Sequence, residues 1–153
     1  MSARVFVDTN ILVYAHDRDA GRKRQIARDI LGRLAVERSG VLSLQVLQEF
    51  YTTVTRKLPA RLPRDEARAV VADFFHWSVA TTPAEILHAF RIEDEAHIGF
   101  WDALVVAVAL KSGATRLLTE DLNAGQRIAG LVIENPFAAP ALGEAPEPPS
   151  RPE

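Results

Sequence analysis

The sequence predicts an α/β fold, a three-layer α/β/α sandwich on a mostly parallel sheet of four to five strands, and three observations lead to it. Short apolar runs alternate along the chain with longer segments of helical periodicity. The first run, Arg4-Val5-Phe6-Val7, is continuous rather than alternating, the pattern of a strand buried on both faces of a parallel sheet. The spacing between runs leaves room for helical crossovers, as βαβ units require.

The elements follow in order. The opening strand stops at Asp8. From Arg22 to Arg38, Ile26, Ile30 and Leu34 recur every four residues with Ala27 and Leu31 beside them, an amphipathic helix with an arginine-rich outer face and Gly40 as its stop signal. Val41-Leu42 reads as a strand, and Ser43 as the N-cap of a helix whose stripe is Leu47, Phe50, Tyr51, Val54 and Leu58, ended by Pro59 and Pro63. A helix over 64–76 leads to a weak strand near 77–80, and another starts at Pro83, a good first-turn residue, packing Ile86, Ala89 and Phe90. The segment 100–110 is apolar all round apart from Asp102, so it should be a buried central helix with Gly113 just past its end. Thr115 to Thr119 and Leu131 to Ile133 complete the strands. Residues 1–137 form the expected domain. From Ala138 to residue 153 Pro and Ala dominate with almost no apolar bulk, so that tail is expected to be disordered.

Composition narrows the chemistry. With 153 residues, 48% hydrophobic and 25% charged, the chain can bury one core of ordinary kind. The absence of Cys excludes disulfides, thiolate metal sites and a cysteine nucleophile, leaving oxygen or histidine chemistry. No apolar run reaches the roughly 18 residues of a membrane span, and Val5 to Val7 lies too near Met1 for a signal peptide, so a cytoplasmic protein is expected. The formal net charge of -2 argues against a generally basic nucleic-acid binder. Any affinity for nucleic acid must come from local placement of charge.

Four acids stand where an α/β sheet binds ligands, beyond the carboxyl ends of its strands. Asp8 follows the first strand, Asp121 comes two residues after the Thr115 to Thr119 strand, and Asp102 opens the buried helix. Glu49 lies about 160° from the centre of its helix's apolar stripe, so it either faces solvent or looks across a cleft toward the strand ends. Carboxylates gathered in a partly dry cleft repel, and a hard divalent cation with a preference for oxygen relieves that repulsion.

The residues around these acids carry a family resemblance. Phe6-Val7-Asp8-Thr9-Asn10-Ile11-Leu12, Leu47-Gln48-Glu49-Phe50, Phe100-Trp101-Asp102-Ala103-Leu104 and the stretch Leu118-Thr119-Glu120-Asp121-Leu122-Asn123-Ala124-Gly125-Gln126 resemble the PIN-domain motifs, in the PIN order, across about residues 4 to 135. The nearest likeness is to VapC-type ribonuclease toxins of toxin-antitoxin pairs. The resemblance implies a twisted parallel sheet flanked by helices, RNA cleavage with Mg²⁺ or Mn²⁺ at Asp8, Glu49, Asp102 and Asp121, a homodimer, and inhibition by a cognate antitoxin. It makes Asp8 and Asp102 the direct ligands, with Glu49 and Asp121 ligating through water or orienting the nucleophile. Thr9, Asn10 and Thr119 would hold the carboxylates in position.

Each signal has a plainer reading when taken alone. Asp8 is also a turn or N-cap type, Asp102 a dipole partner, Asp121 a turn former and Glu49 a solvated surface residue. Order, spacing and neighbours together favour the joint site. The basic runs, arginines 18, 22, 24 and 28 with Lys23, and Arg56, Lys57, Arg61, Arg64 and Arg68, are read first as solvated helix faces and second as an RNA path. His16 and His97 are read as surface groups rather than acid-base catalysts, and Trp77, Trp101 and Tyr14 as core rather than base-stacking residues. Phosphoryl transfer through an aspartyl intermediate expects a second acid two residues after the first, where Asn10 stands, and a lysine near Thr119-Glu120-Asp121, where there is none. A PIN-like RNA-binding or partner-docking module without catalysis is the remaining alternative.

Overall fold

Phe6 and Val7 are fully enclosed, which is what a strand with neighbours on both sides and helices on both faces requires. The structure, a computed structural model, describes residues 3–138, so the tail expected to be disordered lies outside the described residues but for Ala138. In it β1 (Arg4–Val7) pairs in parallel with β2 (Gly40–Ser43) on one side and β4 (Ala114–Leu118) on the other. β3 (Ser78–Val79) and β6 (Leu131–Glu134) extend the parallel sheet outward, and β5 (Arg127–Ile128) closes it as an antiparallel edge, giving the order β3-β2-β1-β4-β6-β5. The sixth strand, beyond the four to five expected, is that two-residue edge. It is too short to show a period, and it is set by a hairpin whose turn residues Ala129 and Gly130 both have positive φ, the mirror-image turn that suits strand twist.

The chain steps twice from β1 toward β3 and then returns across β1 to β4. Right-handed crossovers therefore put the first four helices on one face and the last two on the other. Packing agrees: α1 (Thr9–His16) contacts α2 (Arg22–Glu37) and α3 (Leu44–Thr52), α3 contacts α4 (Arg64–Asp73), and α5 (Pro83–Ala96) contacts α6 (Phe100–Lys111). The result is the three-layer α/β/α sandwich. As expected, α6 is its buried helix, with Ala103, Val106, Ala107, Val108 and Ala109 almost without exposure and Gly113 just beyond it at φ +80°.

Four local expectations are corrected. Helix α1 is absent from the sequence reading, because Ile11, Leu12 and Val13 are consecutive apolar residues without a helical period; it is started by the Asp8 side chain, which accepts from the Thr9 N–H. Gly40 does not end α2: Arg38 caps it in the left-handed region, and Gly40 lies in β2, where a Cβ would sit 2.3 Å from the Trp77 ring. The helix after Ser43 changes at Thr53–Lys57 into a π-helical turn before the prolines. In α5, Ala89 and Ile92 face inward while Ile86 and Phe90 stay exposed, because the inner position is taken by Glu85, buried and paired with Lys111 and Thr82.

Candidate active site

β1 lies between neighbours reached by crossovers in opposite directions, so the carboxyl ends of β1 and β4 flank the switch point where α/β sheets open a crevice. Asp8 leaves β1 there, with its N–H bonded to the Leu118 carbonyl at the end of β4. Its side chain is 7% exposed. One oxygen accepts from the Thr9 N–H at 2.8 Å and the other from the Thr119 hydroxyl at 2.8 Å. Burial pushes its pKa up to about 6, held back by those two hydrogen bonds and raised further by the charges of Asp121 and Glu49.

Thr119, itself fully buried, is the hub. Besides donating to Asp8, its hydroxyl accepts from the Asp121 N–H at 3.0 Å and from the Asn10 amide at 3.3 Å. Asn10 also donates to the Asp121 carboxylate at 3.2 Å and accepts from the Glu120 N–H at 3.3 Å. The loop after β4 is thereby tied to the first turn of α1, and Asp121 is fixed beside the strand ends although it is exposed.

Glu49 is exposed on α3 but directed: it accepts from the Thr9 hydroxyl at 2.9 Å and from Gln45 one turn earlier at 3.0 Å. Of the two orientations left open by the helical wheel, the one across the cleft is present. Asp102 is half-buried in the first turn of α6, where Gly99 is the cap residue and no side chain caps the helix. Its pKa is raised by burial, then by Asp121 and then by Glu49. Asp8 and Asp102 thus feel the same two charges, which brings all four acids into one electrostatic neighbourhood. Among the described residues no three carboxylate or histidine side chains are already arranged to hold a metal ion. The donor set, all oxygen and all acidic, nevertheless has the chemistry that Mg²⁺ or Mn²⁺ takes.

A cleft of about 400 Å³ opens between α1, α3 and the loop after β4, lined among others by Thr9, Asn10, Tyr14, Glu49, Lys57 and Asp121. Lys57 comes into it from the π-helical turn, a placement with no sequence signal, since within its basic run Lys57 looks like its neighbours. Glu120 is engaged by other partners, accepting from the Tyr14 hydroxyl at 2.6 Å and from Lys23 at 2.7 Å. The histidines lie elsewhere: His16 is half-buried with Nδ1 2.9 Å from the Leu12 carbonyl and its ring edge against Phe50, and His97 ends α5 in the left-handed region. Trp77 is core as expected, but Trp101, beside Asp102, is 65% exposed and is not a core residue; it follows the outer side of α6's first turn, stacked edge-on to Phe100.

The PIN-domain family model matches residues 5–130, and the chain belongs to the PIN-domain family. Three solved structures share its fold. A toxin-antitoxin complex from Klebsiella pneumoniae is 19% identical with a TM-score of 0.63, covering 90% of this chain and 100% of that one. VapBC2 from Rickettsia felis, bound to a DNA fragment from its promoter, is 20% identical with a TM-score of 0.57, covering 86% and 97%. The Mycobacterium tuberculosis toxin VapC20, which cleaves the sarcin-ricin loop, is 20% identical with a TM-score of 0.52, covering 74% and 86%. No curated protein matches the chain significantly. Among the described residues no helix is long and apolar enough to cross a membrane.

Proposed function

We propose that the protein is a metal-dependent endoribonuclease, the toxin of a toxin-antitoxin pair, acting on RNA in the cytoplasm. The observation that carries the reading is the shared electrostatic neighbourhood of Asp8, Glu49, Asp102 and Asp121 at the switch point of a PIN fold. Asp8 and Asp102, the two whose charge is least comfortable, would hold Mg²⁺ or Mn²⁺ directly, and Glu49 and Asp121 would complete the site from its exposed side. When bound, the ion lowers the pKa of a water and neutralises charge growing on a phosphodiester.

The chain's own residues do the rest. Thr119 and the Thr9 N–H fix the Asp8 carboxylate, Asn10 fixes Asp121, and the Thr9 hydroxyl with Gln45 fixes Glu49, so these three acids are held in orientation for the reaction. Glu49 and Asp121, on the exposed side of the site, are placed to accept a proton from the attacking water. Lys57 lines the same cleft as a cation for a substrate phosphate. Water attacks phosphorus, its oxygen stays on the phosphate, the bond to the 3′ oxygen breaks, and that oxygen takes a proton. Cleavage of single-stranded RNA should therefore leave 5′-phosphate and 3′-hydroxyl ends and stop in EDTA. End-group analysis decides it: a 2′,3′-cyclic phosphate formed in EDTA would sink the reading, and RNA binding without cleavage in Mn²⁺ would mark a non-catalytic module.

Two protein partners belong to the proposal. One is a cognate antitoxin, supported by the toxin-antitoxin assemblies that share the fold. The other is a second copy of this chain, for which Leu87, Phe90 and Trp101, all exposed on α5 and the start of α6, offer apolar surface. Light scattering at micromolar concentration should report a dimer; a monomer would refute that part.

A further inference from the structure

A second polar cavity, of about 310 Å³, lies where the end of α1 meets the first turns of α2 and the start of α4. His16, Arg18, Arg24, Arg28 and Glu66 line it, with Ala15 and Leu62 as its apolar walls. Three guanidiniums face one carboxylate there, and His16 is held toward its neutral form by burial first, with Arg28 and Arg24 opposing its charge and Glu66 favouring it. Its lining is therefore positive by two charges, three less one. Among the described residues none of the three arginines is ion-paired, and Arg24 Nε is shut from water without an acceptor. A buried guanidinium N–H lacking an acceptor is costly, as is holding guanidiniums together. Both costs are relieved by an anion.

We infer that this pocket seats a backbone phosphate of the same RNA that is cut in the acidic cleft. The inference rests on the ribonuclease reading. Consecutive residues of α1 line the two cavities, Tyr14 the cleft and Ala15 and His16 the pocket. Asp8 and His16 are about 12 Å apart along the helix axis, so one RNA strand lying along α1 reaches both. The guanidinium fork matches phosphate oxygens. The small apolar wall leaves little room to stack a base, so the contact positions the strand without reading its sequence. Of the basic runs, this assigns Arg18, Arg24 and Arg28 to RNA and leaves Arg22 and Lys23 out; Lys23 is engaged with Glu120.

The test is the salt dependence of binding of a labelled single-stranded RNA, in EDTA, to wild type and to Arg18→Gln/Arg28→Gln. Both arginines are exposed, so the variant should keep its melting temperature; Arg24→Gln serves as the second variant. Affinity should fall about tenfold and the slope of log K against log salt by about 0.7 for each phosphate no longer neutralised, equally for RNAs of different sequence. In Mn²⁺ the KM for long RNA should rise with kcat unchanged, while a dinucleotide too short to reach the pocket should be cut equally by both proteins. Wild-type affinity and slope in both variants would overturn the inference. So would inorganic phosphate protecting wild type but not the variants against heat while RNA binding stays the same, which would make the pocket a free-anion site. If no RNA is cut at all, the nuclease reading fails, and the salt slope still decides the pocket.

Discussion

Asp102→Asn should fold at least as stably as wild type in EDTA and cleave RNA at least about 100-fold more slowly, the usual cost of losing a preorganised catalytic group. The two effects have one origin. Asp102 is half-buried, and its charge is opposed by burial and by Asp121 and Glu49, so removing that charge relieves the metal-free fold. No side chain caps α6, so no capping bond is lost with it. The gain should be about 0.5–2 kcal/mol, the range of other single stabilising changes. Without a shared cleft, the loss of a helix-dipole partner predicts the opposite sign, a cost of about 0.3–1 kcal/mol. Thermal melts in EDTA and in Mn²⁺ separate the two: the variant should gain little from Mn²⁺, and a variant less stable than wild type in EDTA would contradict the shared neighbourhood.

Thr119→Val should cost about 1–3 kcal/mol and lower cleavage by tenfold or more, because one hydroxyl serves Asp8, the Asp121 N–H and Asn10 together. Valine keeps the volume and removes every one of these bonds. The pH dependence carries the signature. Asp8 has its folded pKa raised from 3.8 to about 6, so the stability it contributes in the metal-free protein is fully present below its unfolded pKa and is lost as pH rises through about 6. That contribution is on the order of 2–3 kcal/mol. Losing the Thr119 donor, the larger of the two hydrogen bonds that lower this pKa, should move the window upward, and Asp8→Asn should flatten it. Denaturant melts from pH 4 to pH 7 in EDTA check this, and identical pH profiles for all three proteins would show that Asp8 is not a buried carboxylate held by Thr119.

Much of this arrangement is legible in the sequence because the sheet is. A fully apolar run ending at Asp8 marks a strand end, and residues at strand ends share a rim whatever the details of the helices, which is why Asp8 and Asp121 group together on sequence grounds. Asp102 is legible for a related reason, as the lone charge in the otherwise apolar segment 100–110. Glu49 is not, since periodicity tells which side of a helix is core but not whether the other side meets solvent or a neighbour. What stays hidden depends on contacts distant in the chain. Helix α1 lacks a period of its own and is set by Asp8 and by packing on α2 and α3. Gly40 looks like a helix stop because its true constraint, the Trp77 ring, is far away in the sequence. Trp101 looks like core from its type alone, and Lys57 lines the cleft from a π-helical turn that the sequence pattern does not announce.

The most direct test of the central claim is a cleavage time course on one single-stranded RNA, run with wild type in Mn²⁺, wild type in EDTA, and Asp102→Asn in Mn²⁺. Cutting is expected in the first and almost none in the other two. Full activity of the Asn variant in Mn²⁺, or of wild type in EDTA, would contradict a metal-dependent nuclease built on Asp8, Glu49, Asp102 and Asp121.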